Sequence, residues 1–337
     1  MLRVVIAKMT LLVSVLISMT IMTMAHADDA FVHRPEVQTY IQYLVKQYHF
    51  QQQPLVTLFS AVKIRPQVIR HINKPLEKEL WNTYQMLFVN EWRIQHGVKF
   101  WNKYAAALQK AEKTYGVPAS IIVATIGIET KYGQKTGEYR VMDSLTNLAF
   151  SSSPRAPFFR KELTEFLLLS REQHLDPLKI MGSYAGAIGQ PQFMPSSYRY
   201  YAVNFSNSGK TDLMHDEIDV IGSIANYYKK HGWQTNEPVA LPALFLGNRY
   251  SHFLGKTIPT QALSLPELAQ YGIAPKIKVP RPDLKVKIIE LQTRYSKEYW
   301  LAFHNFDVIK RYNPSDMYAM AVYQLSTYIA DLKERLH

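Results

Sequence analysis

The chain has 337 residues, of which 47% are apolar and 20% charged, and it carries a formal net charge of +12. This composition is that of a globular protein and excludes collagen-like, coiled-coil and largely disordered chains. The absence of cysteine excludes disulfide scaffolds, cysteine nucleophiles, thiolate metal sites and a lipid-modified N-terminal cysteine. The positive charge is consistent with binding to an anionic polymer or to lipid headgroups; the alternative is that it serves only solubility.

The first 27 residues have the pattern of an export signal. Arg3 and Lys8 precede an apolar run that ends at Met24, and Ala25-His26-Ala27 is a small-x-small cleavage site. Cleavage there removes two basic residues and lowers the formal net charge from +12 to +10. An uncleaved membrane anchor is the alternative, although the run is short for a span. We therefore expect a periplasmic protein with no stable membrane span, and no lipoprotein, because the chain has no cysteine.

Helical periodicity dominates most of the chain. Apolar stripes predict helices over Pro35–Tyr48, Leu55–Val62, Trp81–Trp92, Phe100–Tyr115, Phe158–Gln173 and Asp219–His231. Pro118 is expected to open another helix at its first position, and Gly133 to end it with a left-handed cap. Ser315 is expected to cap a last helix that runs to Leu336. Residues 183–197 are small, polar and interrupted by glycine and proline, which predicts a loop.

The composition changes between about residues 234 and 304, where prolines recur. Strand-like runs are found at Val239–Phe245, Val286–Gln292 and Tyr299–Phe303, and Leu265–Tyr271 is predicted to be a short helix. The sequence therefore predicts a mainly α (α+β) protein with a small β-containing subdomain before the last helix.

One carboxylate has an unusual setting. Glu129 follows Ile122, Thr125 and Ile126 at helical spacing, so it shares the apolar face of its helix near the C-terminus. Desolvation and the negative end of the helix dipole both disfavour the charged carboxylate. A carboxyl group with a raised pKa is a competent acid near neutral pH. The alternative is a glutamate that turns to solvent or pairs with Lys131.

Other chemistry is weakly supported. A two-carboxylate glycosidase needs a second acid, and the nearest in sequence, Glu138 and Asp143, carry no mark of that role; Asp143 is expected to cap a helix that starts near Ser144. Ser183 and Ser196 lie in the small-residue loop, but no G-x-S-x-G elbow occurs. Metal-ligand spacing, phosphate loops and dinucleotide fingerprints are also missing, so we expect no cofactor. We expect no nucleic-acid partner, because an exported protein works outside the cytoplasm.

Four long segments resemble one family. They are Ile126-Gly-Ile-Glu-Thr-Lys-Tyr-Gly133, Gly182-Ser-Tyr-Ala-Gly-Ala-Ile-Gly-Gln-Pro-Gln-Phe-Met-Pro-Ser-Ser-Tyr198, Asp219-Val-Ile-Gly-Ser-Ile-Ala-Asn-Tyr-Tyr-Lys-Lys-His-Gly-Trp233, and Asn305-Phe-Asp-Val-Ile-Lys-Arg-Tyr-Asn313 with Tyr318-Ala-Met-Ala-Val322. In this order they are similar to the B-type lytic murein transglycosylases of glycoside hydrolase family 103. The resemblance extends from about Trp81 to the C-terminus.

The resemblance implies a lysozyme-like helical core with added domains. The expected division is a signal peptide at 1–27, an outer helical domain at 28–100 completed by part of the C-terminal segment, a catalytic core at 101–233, a β-containing subdomain at 234–304, and a C-terminal groove wall and helix at 305–337. The inserted subdomain agrees with the composition change described above.

The resemblance also implies a reaction. Members cleave the β-1,4 bond between N-acetylmuramic acid and N-acetylglucosamine in peptidoglycan and leave 1,6-anhydromuramoyl ends. Glu129 would act as acid and then as base on the muramoyl 6-hydroxyl, and the substrate's N-acetyl group can replace a second carboxylate. The alternatives are a hydrolytic muramidase and a non-catalytic peptidoglycan-binding scaffold. Glycan strands are the expected partner, with other cell-wall enzymes as further candidates by family analogy.

Seven further positions match substrate-binding residues of the family. They are Tyr84, Ser183, Gln192, Tyr227, Tyr312, Asn313 and Tyr318. Tyr227 also falls off the apolar stripe of its own helix, which favours a ring that faces the groove. The local match is weakest for Tyr84.

The chain departs from the family pattern at two places. Pro191 stands where a glycine usually precedes the glutamine, and proline fixes φ and removes an N–H. Some members hold calcium in an EF-hand-like loop, whose counterpart here starts at Asn204 and ends at Asp219. Asn204 and Ser208 replace acidic ligands in it, and Lys210 occupies another ligand position. Because calcium prefers several carboxylates, we expect weak binding or none.

Overall fold

The computed structural model describes residues 31–72, 79–254, 260–277, 279 and 281–336. The predicted signal peptide at 1–27 lies outside these residues. Among the residues that the structure describes, no helix is long and apolar enough to cross a membrane.

Helices make up most of the described residues, and five of the seven strands found there lie between residues 240 and 302. The helices are α1 (Pro35–Tyr48), α2 (Gln52–Ser60), α3 (Pro66–Ile72), α4 (Trp81–Phe88), α5 (Glu91–Lys103), α6 (Ala105–Tyr115), α7 (Ala119–Thr130), α8 (Val141–Ala149), α9 (Ala156–Glu172), α10 (Pro195–Tyr201), α11 (Glu217–Lys230), α12 (Arg249–Leu254), α13 (Leu265–Ala269), α14 (His304–Lys310) and α15 (Asp316–Arg335). The strands are β1 (Tyr139–Arg140), β2 (Met181–Gly182), β3 (Ala240–Phe245), β4 (Leu263–Ser264), β5 (Ile273–Pro275), β6 (Lys285–Gln292) and β7 (Lys297–Ala302). The predicted mainly α fold with a small β part is confirmed.

The chain forms two compact units. Of the described residues, those within 31–72 and 138–187 form one unit, and those within 79–137 and 188–336 form the other. These units cut across the predicted boundaries, since residues 138–187 from the middle of the expected core group with the N-terminal helices. The finer division into an outer domain, a core and a groove wall stays a prediction.

A buried carboxylate organises the N-terminal unit. Asp143 accepts hydrogen bonds from Arg140 at 2.9 and 2.6 Å and from the backbone N–H of Lys63 at 3.0 Å. The prediction that Asp143 caps a helix starting near Ser144 is wrong, because α8 already begins at Val141. Asp143 lies inside the first turn, where its carboxylate ties α8 to the segment after α2. Both of its oxygens accept hydrogen bonds, and loss of one partner of a buried ion pair is strongly destabilising, so Asp143 has a structural role.

The β part is an antiparallel sheet in the second unit. Its strand order is β4-β6-β7-β3-β5, and the long pair β6–β7 runs in register from Lys287 opposite Ala302 to Gln292 opposite Lys297. Ile273, Val286 and Leu301 of strands β5, β6 and β7 form an apolar cluster with Leu268 of α13 on one face of the sheet. The three strands predicted from composition are β3, β6 and β7, within two residues at each end.

The second unit buries α7 on all sides. Ten of its twelve residues are buried. The sequence predicted one apolar face that includes Glu129, whereas the helix is apolar on all faces, which is typical of a central helix. α5, α6, α11 and α15 pack around it. The C-terminal end of this helix is therefore held among protein groups on several sides.

Candidate active site

Glu129 is the penultimate residue of α7. The helix ends there because Lys131, Tyr132 and Gly133 all adopt left-handed φ, at 51°, 58° and 83°. The N–H groups of Lys131 and Tyr132 bond back to the carbonyls of Gly127 and Ile126 at 3.2 and 3.3 Å. Gly133 was expected to provide the left-handed cap, but Lys131 already provides it, and Pro118 lies just before the helix instead of at its first position.

The reversal of the chain brings Tyr132 back onto α7. Its hydroxyl donates to the carbonyl of Arg93 at 2.6 Å, and a Cβ at Gly127 would come within 2.5 Å of that hydroxyl oxygen. Glycine is thus required at position 127 by the approach of the ring. Arg93, a buried residue of α5, donates to the carbonyl of Gly127 at 3.0 Å. These contacts fix the last turn of α7, and with it the position of Glu129.

Glu129 is paired with a tyrosine. The Tyr318 hydroxyl donates to Glu129 Oε1 at 2.6 Å. Tyr318 lies in the first turn of α15, which Ser315 caps by accepting from the N–H of Tyr318 at 3.3 Å, as predicted. Lys131 does not pair with Glu129; its ammonium lies over the ring of Trp92, 5.6 Å from the centroid. The alternative of a Glu129–Lys131 pair is therefore wrong.

Burial sets the protonation of Glu129. The residue is half-buried and its carboxyl is surrounded by protein atoms, so desolvation raises its pKa from 4.5 to about 7, against a smaller lowering by the Tyr318 hydrogen bond. Burial, and then the neighbouring Glu129, raise the pKa of Tyr318 well above its ordinary value, so Tyr318 remains a donor. Because the Tyr318 proton faces Oε1, the proton of the neutral carboxyl belongs on Oε2.

Aromatic side chains surround this pair. Tyr312 is nearly parallel to Tyr318, with ring centroids 6.3 Å apart, and Tyr227 contacts Tyr312 at 4.8 Å. The hydroxyl of Tyr312 donates to the carbonyl of Pro191, and that of Tyr227 to the carbonyl of Arg311, each at 2.6 Å. Both hydroxyls thus bind backbone, and the rings form a rigid wall.

Tyr227 is less exposed than its helix pattern indicated. Only 6% of the residue is accessible, since α11 is buried continuously from Asp219 to Tyr228. The Tyr227 ring also stacks on the His231 ring, with centroids 4.0 Å apart. The adjacent Tyr228, which sequence reasoning missed, shares a hydrogen bond of 2.9 Å with the hydroxyl of Thr125, one turn before Glu129. The paired tyrosines at 227 and 228 were the available signal.

The small-residue loop joins the wall to α7. The hydroxyl of Thr130 donates to the carbonyl of Gln190 at 2.9 Å. Gln192 adopts a left-handed φ of 50°, and its amide donates to the carbonyls of Thr136 and Gly189 at 2.9 and 2.8 Å. Proline is accommodated at position 191 because the backbone contact made there is through its carbonyl, which accepts from the Tyr312 hydroxyl, and requires no N–H.

Three predicted residues have other surroundings. Ser183 belongs to the N-terminal unit, where its hydroxyl accepts from the N–H groups of Ala185 and Ala187 at 3.2 and 3.0 Å. Tyr84 is 2% exposed and packs against Phe88 with ring centroids 4.6 Å apart, which is typical of a packing role. Asn313 is half-buried in the turn between α14 and α15. Their roles in substrate binding stay predictions.

The EF-hand-like loop is closed by its own backbone. The carboxylate of the buried Asp219 accepts from the N–H groups of Ser206 and Asp212, each at 2.9 Å. Asn204 Oδ1 accepts from the N–H of Ser208 at 3.0 Å. Asp216 in turn caps α11 through the N–H groups of Ile218 and Asp219. The oxygens that a cation would need are therefore bonded to N–H groups.

Comparison with known proteins places this chain among cell-wall enzymes. A family model described as the transglycosylase SLT domain matches residues 33–327. The membrane-bound lytic murein transglycosylase B of Escherichia coli K12 is 38% identical over 310 residues, which cover 89% of this chain and 84% of that protein. The crystal structure of soluble lytic transglycosylase SltB1 from Pseudomonas aeruginosa is 46% identical, with a TM-score of 0.82, and covers 89% of this chain and 100% of its own.

Two further solved structures contain ligands. Escherichia coli lytic transglycosylase Slt35 in complex with calcium is 37% identical, with a TM-score of 0.81, over 90% of this chain and 95% of its own. Pseudomonas aeruginosa SltB3 in complex with NAG-NAM-pentapeptide is 26% identical, with a TM-score of 0.78, over 88% of this chain and 79% of its own.

The raised pKa predicts a stability difference that depends on pH. The folded protein holds the Glu129 proton up to about pH 7, whereas the unfolded chain releases it near its ordinary pKa of 4.5. The contribution of Glu129 to the stability of the folded protein is therefore fully present below about pH 4.5 and is lost as the pH rises through about 7. In acid, Glu129→Gln should have the same free energy of unfolding as wild type. Above neutral pH its free energy of unfolding should be larger by about 2–3 kcal/mol, reduced by any screening from residual solvent contact.

Urea unfolding of both proteins across this pH range measures the difference. Tyr318→Phe removes a hydrogen bond that favours the carboxylate, so it should raise the pKa of Glu129 further and move the transition to higher pH. A stability difference between wild type and Glu129→Gln that is constant with pH would show that Glu129 titrates as an ordinary exposed carboxyl.

Proposed function

Since the chain belongs to the transglycosylase SLT-domain family and is a peptidoglycan lytic transglycosylase, we propose that Glu129 alone supplies both proton transfers of the cleavage. The observation that supports this most strongly is the Glu129–Tyr318 pair, a carboxyl group with a pKa of about 7 and a single tyrosine donor. A group that gives up and then recovers a proton works best when its pKa is near the operating pH.

The first step uses the neutral carboxyl. Glu129 Oε2 donates its proton to the glycosidic oxygen while the bond from that oxygen to the anomeric carbon breaks. Positive charge develops on the sugar, and the new carboxylate is stabilised by the Tyr318 hydroxyl that already donates to Oε1 at 2.6 Å. Because Tyr318 is positioned before the reaction, this stabilisation needs no reorganisation.

The second step returns the proton. The muramoyl 6-hydroxyl oxygen bonds to the anomeric carbon, and its proton passes to the Glu129 carboxylate, so the enzyme ends as it began and no water is consumed. The attacking hydroxyl is held on the reacting sugar, which removes the cost of ordering an external nucleophile. The rings of Tyr227, Tyr312 and Tyr318 form a fixed apolar wall that suits a sugar face and limits water.

The hydrolytic alternative with a separate base needs a second carboxylate that activates water. The nearest acids in sequence do not offer one, since both oxygens of Asp143 accept hydrogen bonds within its own unit and Glu138 is exposed. The groove roles of Ser183, Gln192 and Asn313 are part of this proposal and rest on the resemblance. That of Tyr84 is the least supported, because the residue is almost completely buried.

Glu129→Gln should abolish turnover of purified peptidoglycan while the protein stays folded. Loss of acid–base catalysis costs about 10²–10⁴-fold, and Gln is nearly isosteric but cannot donate the proton. Glu138→Gln is the matched control, because this acid, which is close in sequence, is exposed and its replacement should leave turnover unchanged.

Mass spectrometry of the products made in ¹⁸O-labelled water should show anhydro ends without label. Reducible, labelled ends would establish the muramidase reaction instead, and activity of Glu129→Gln within a few-fold of wild type would remove Glu129 from this role.

We also propose that the protein works in the periplasm after cleavage behind Ala27. The support is the charged, apolar and small-x-small pattern of residues 1–27 and the absence of a cysteine for lipid attachment. Edman sequencing of the periplasmic protein should start at Asp28. Recovery of the chain only in membranes, with Met1 retained, would establish the anchored alternative.

Calcium is proposed to have no part in holding the loop from Asn204 to Asp219. The carboxylates of Asp212, Asp216 and Asp219 all accept backbone N–H groups, and among the described residues no three histidine, aspartate or glutamate side chains are grouped as metal ligands. The Lys210 side chain adds a positive charge to the same loop. These donors do not suit a hard cation that requires several carboxylates.

Removal of metal should therefore leave the protein unchanged. A chelator should move the melting temperature by less than about 2 °C, since a ligand that does not bind contributes no stability. Calorimetric titration of the chelated protein should give no heat of binding at micromolar calcium. Micromolar affinity, or a melting temperature that rises with calcium, would contradict the proposal.

A further inference from the structure

The N-terminal unit contains a cavity that the proposed mechanism does not use. Its volume is about 590 Å³, and it lies between α1 and α9. Residues that line it include Glu36, Tyr40, Tyr43, Tyr48, Arg160 and Lys161. All of these belong to residues 31–72 and 138–187, so none comes from the unit that holds Glu129. A cavity of this size accommodates a small ligand.

The aromatic side of the cavity is built in advance. Tyr40 is buried, and its hydroxyl shares a hydrogen bond of 2.8 Å with Thr164 of α9. Tyr43 stacks on Tyr40 with ring centroids 6.2 Å apart, and its hydroxyl lies 3.3 Å from that of Tyr48. Tyr43 is nevertheless 44% exposed. A tyrosine held from two sides, with one face open, is a platform for a ligand at low entropic cost.

Charges of both signs accompany the rings. Glu36 and Lys161 are exposed, and neither forms a hydrogen bond or an ion pair with any described residue. Arg160 is already fixed, since its guanidinium donates to the carbonyl of Ala149 at 3.1 Å and lies 5.3 Å from the ring centroid of Phe150. Beside an aromatic face, the cavity therefore presents one acid and one base without a partner among the described residues, together with the buried Glu165, which already has a partner.

We propose that this cavity is a second, non-catalytic binding site for the peptide stems of peptidoglycan. These stems are short peptides that carry both carboxylate and ammonium groups. Lys161, with Arg160, would bind a carboxylate, Glu36 would bind the ammonium, and the peptide would lie on the Tyr43 ring. An uncharged N-acetyl sugar would use the ring but leave both charges unsatisfied. The site would hold the enzyme on its substrate, so this inference rests on the proposed function.

Binding is measured in full-length mature Glu129→Gln, which binds but should not cleave. A synthetic stem peptide containing a diamino acid is titrated by calorimetry, and a peptide-free N-acetylglucosamine oligomer serves as the competing probe. Lys161→Glu and Tyr43→Ala should each weaken peptide binding about tenfold or more, which corresponds to at least about 1.4 kcal/mol. Lys46→Glu changes an exposed lysine of α1 that does not line the cavity; it is the charge-matched control for Lys161→Glu and should bind as the parent does.

Melting curves of each variant confirm folding, and both side chains are exposed enough to be replaced without loss of core packing. Peptide affinity that Lys161→Glu and Tyr43→Ala leave unchanged, no peptide binding at all, or displacement of the peptide by the sugar oligomer would each overturn the proposal. The two proposals also fail separately. Peptide binding with turnover retained in Glu129→Gln overturns only the acid–base role, and lost turnover without peptide binding overturns only the cavity.

Discussion

The active site depends on the cost of ionising a carboxyl group where water is largely excluded. Glu129 could be an ordinary acid with a pKa near 4.5 if its helix end faced solvent. Burial raises that pKa to about 7, and the Tyr318 hydrogen bond limits the rise by stabilising the charged form. The opposition of these two effects leaves a group that both donates and accepts protons near neutral pH. The folded protein bears this cost as lost stability above neutral pH.

The surroundings of Glu129 are rigid because almost every polar group in them has a partner. Tyr227 and Tyr312 donate to backbone carbonyls, Tyr228 shares a hydrogen bond with Thr125, and Thr130 donates to the carbonyl of Gln190. A buried hydroxyl without a partner would be costly, so these bonds specify one arrangement of the wall. The same logic applies to the loop at Asp219, whose carboxylate accepts from the backbone N–H groups of Ser206 and Asp212.

The two compact units handle charge differently. In the second unit, Glu129 is left without a cationic partner, which is what raises its pKa. In the N-terminal unit, Asp143 is paired through both oxygens, whereas Glu36 and Lys161 at the edge of a cavity have no partner among the described residues. Exposed charges such as these contribute little to folding, and their placement beside a concave, tyrosine-lined surface is the basis of the proposed peptide site.

Local patterns predicted most of the long helices and the three longest strands and made Glu129 a candidate acid, which the family resemblance then assigned to catalysis. The boundaries of α1 and the cap of α15 at Ser315 follow from spacing and capping chemistry, and β3, β6 and β7 follow from short apolar runs between prolines. Breaks at Asn90 and Tyr104 were missed, because each separates helices whose apolar stripes continue in sequence. The four family segments determined the enzyme class without any coordinates.

Tertiary structure alone decided the partners of these residues. No pattern in the sequence places Tyr318 within 2.6 Å of Glu129, since the two are 189 positions apart and only the packing of α15 on α7 brings them together. The same holds for Tyr227, whose helix position indicated exposure but whose ring is covered by residues of other elements, and for Asp143, whose partners include the segment after α2. A residue's periodicity reports the face of its own element, whereas its burial, its hydrogen bonds and its pKa depend on which other elements pack against that face.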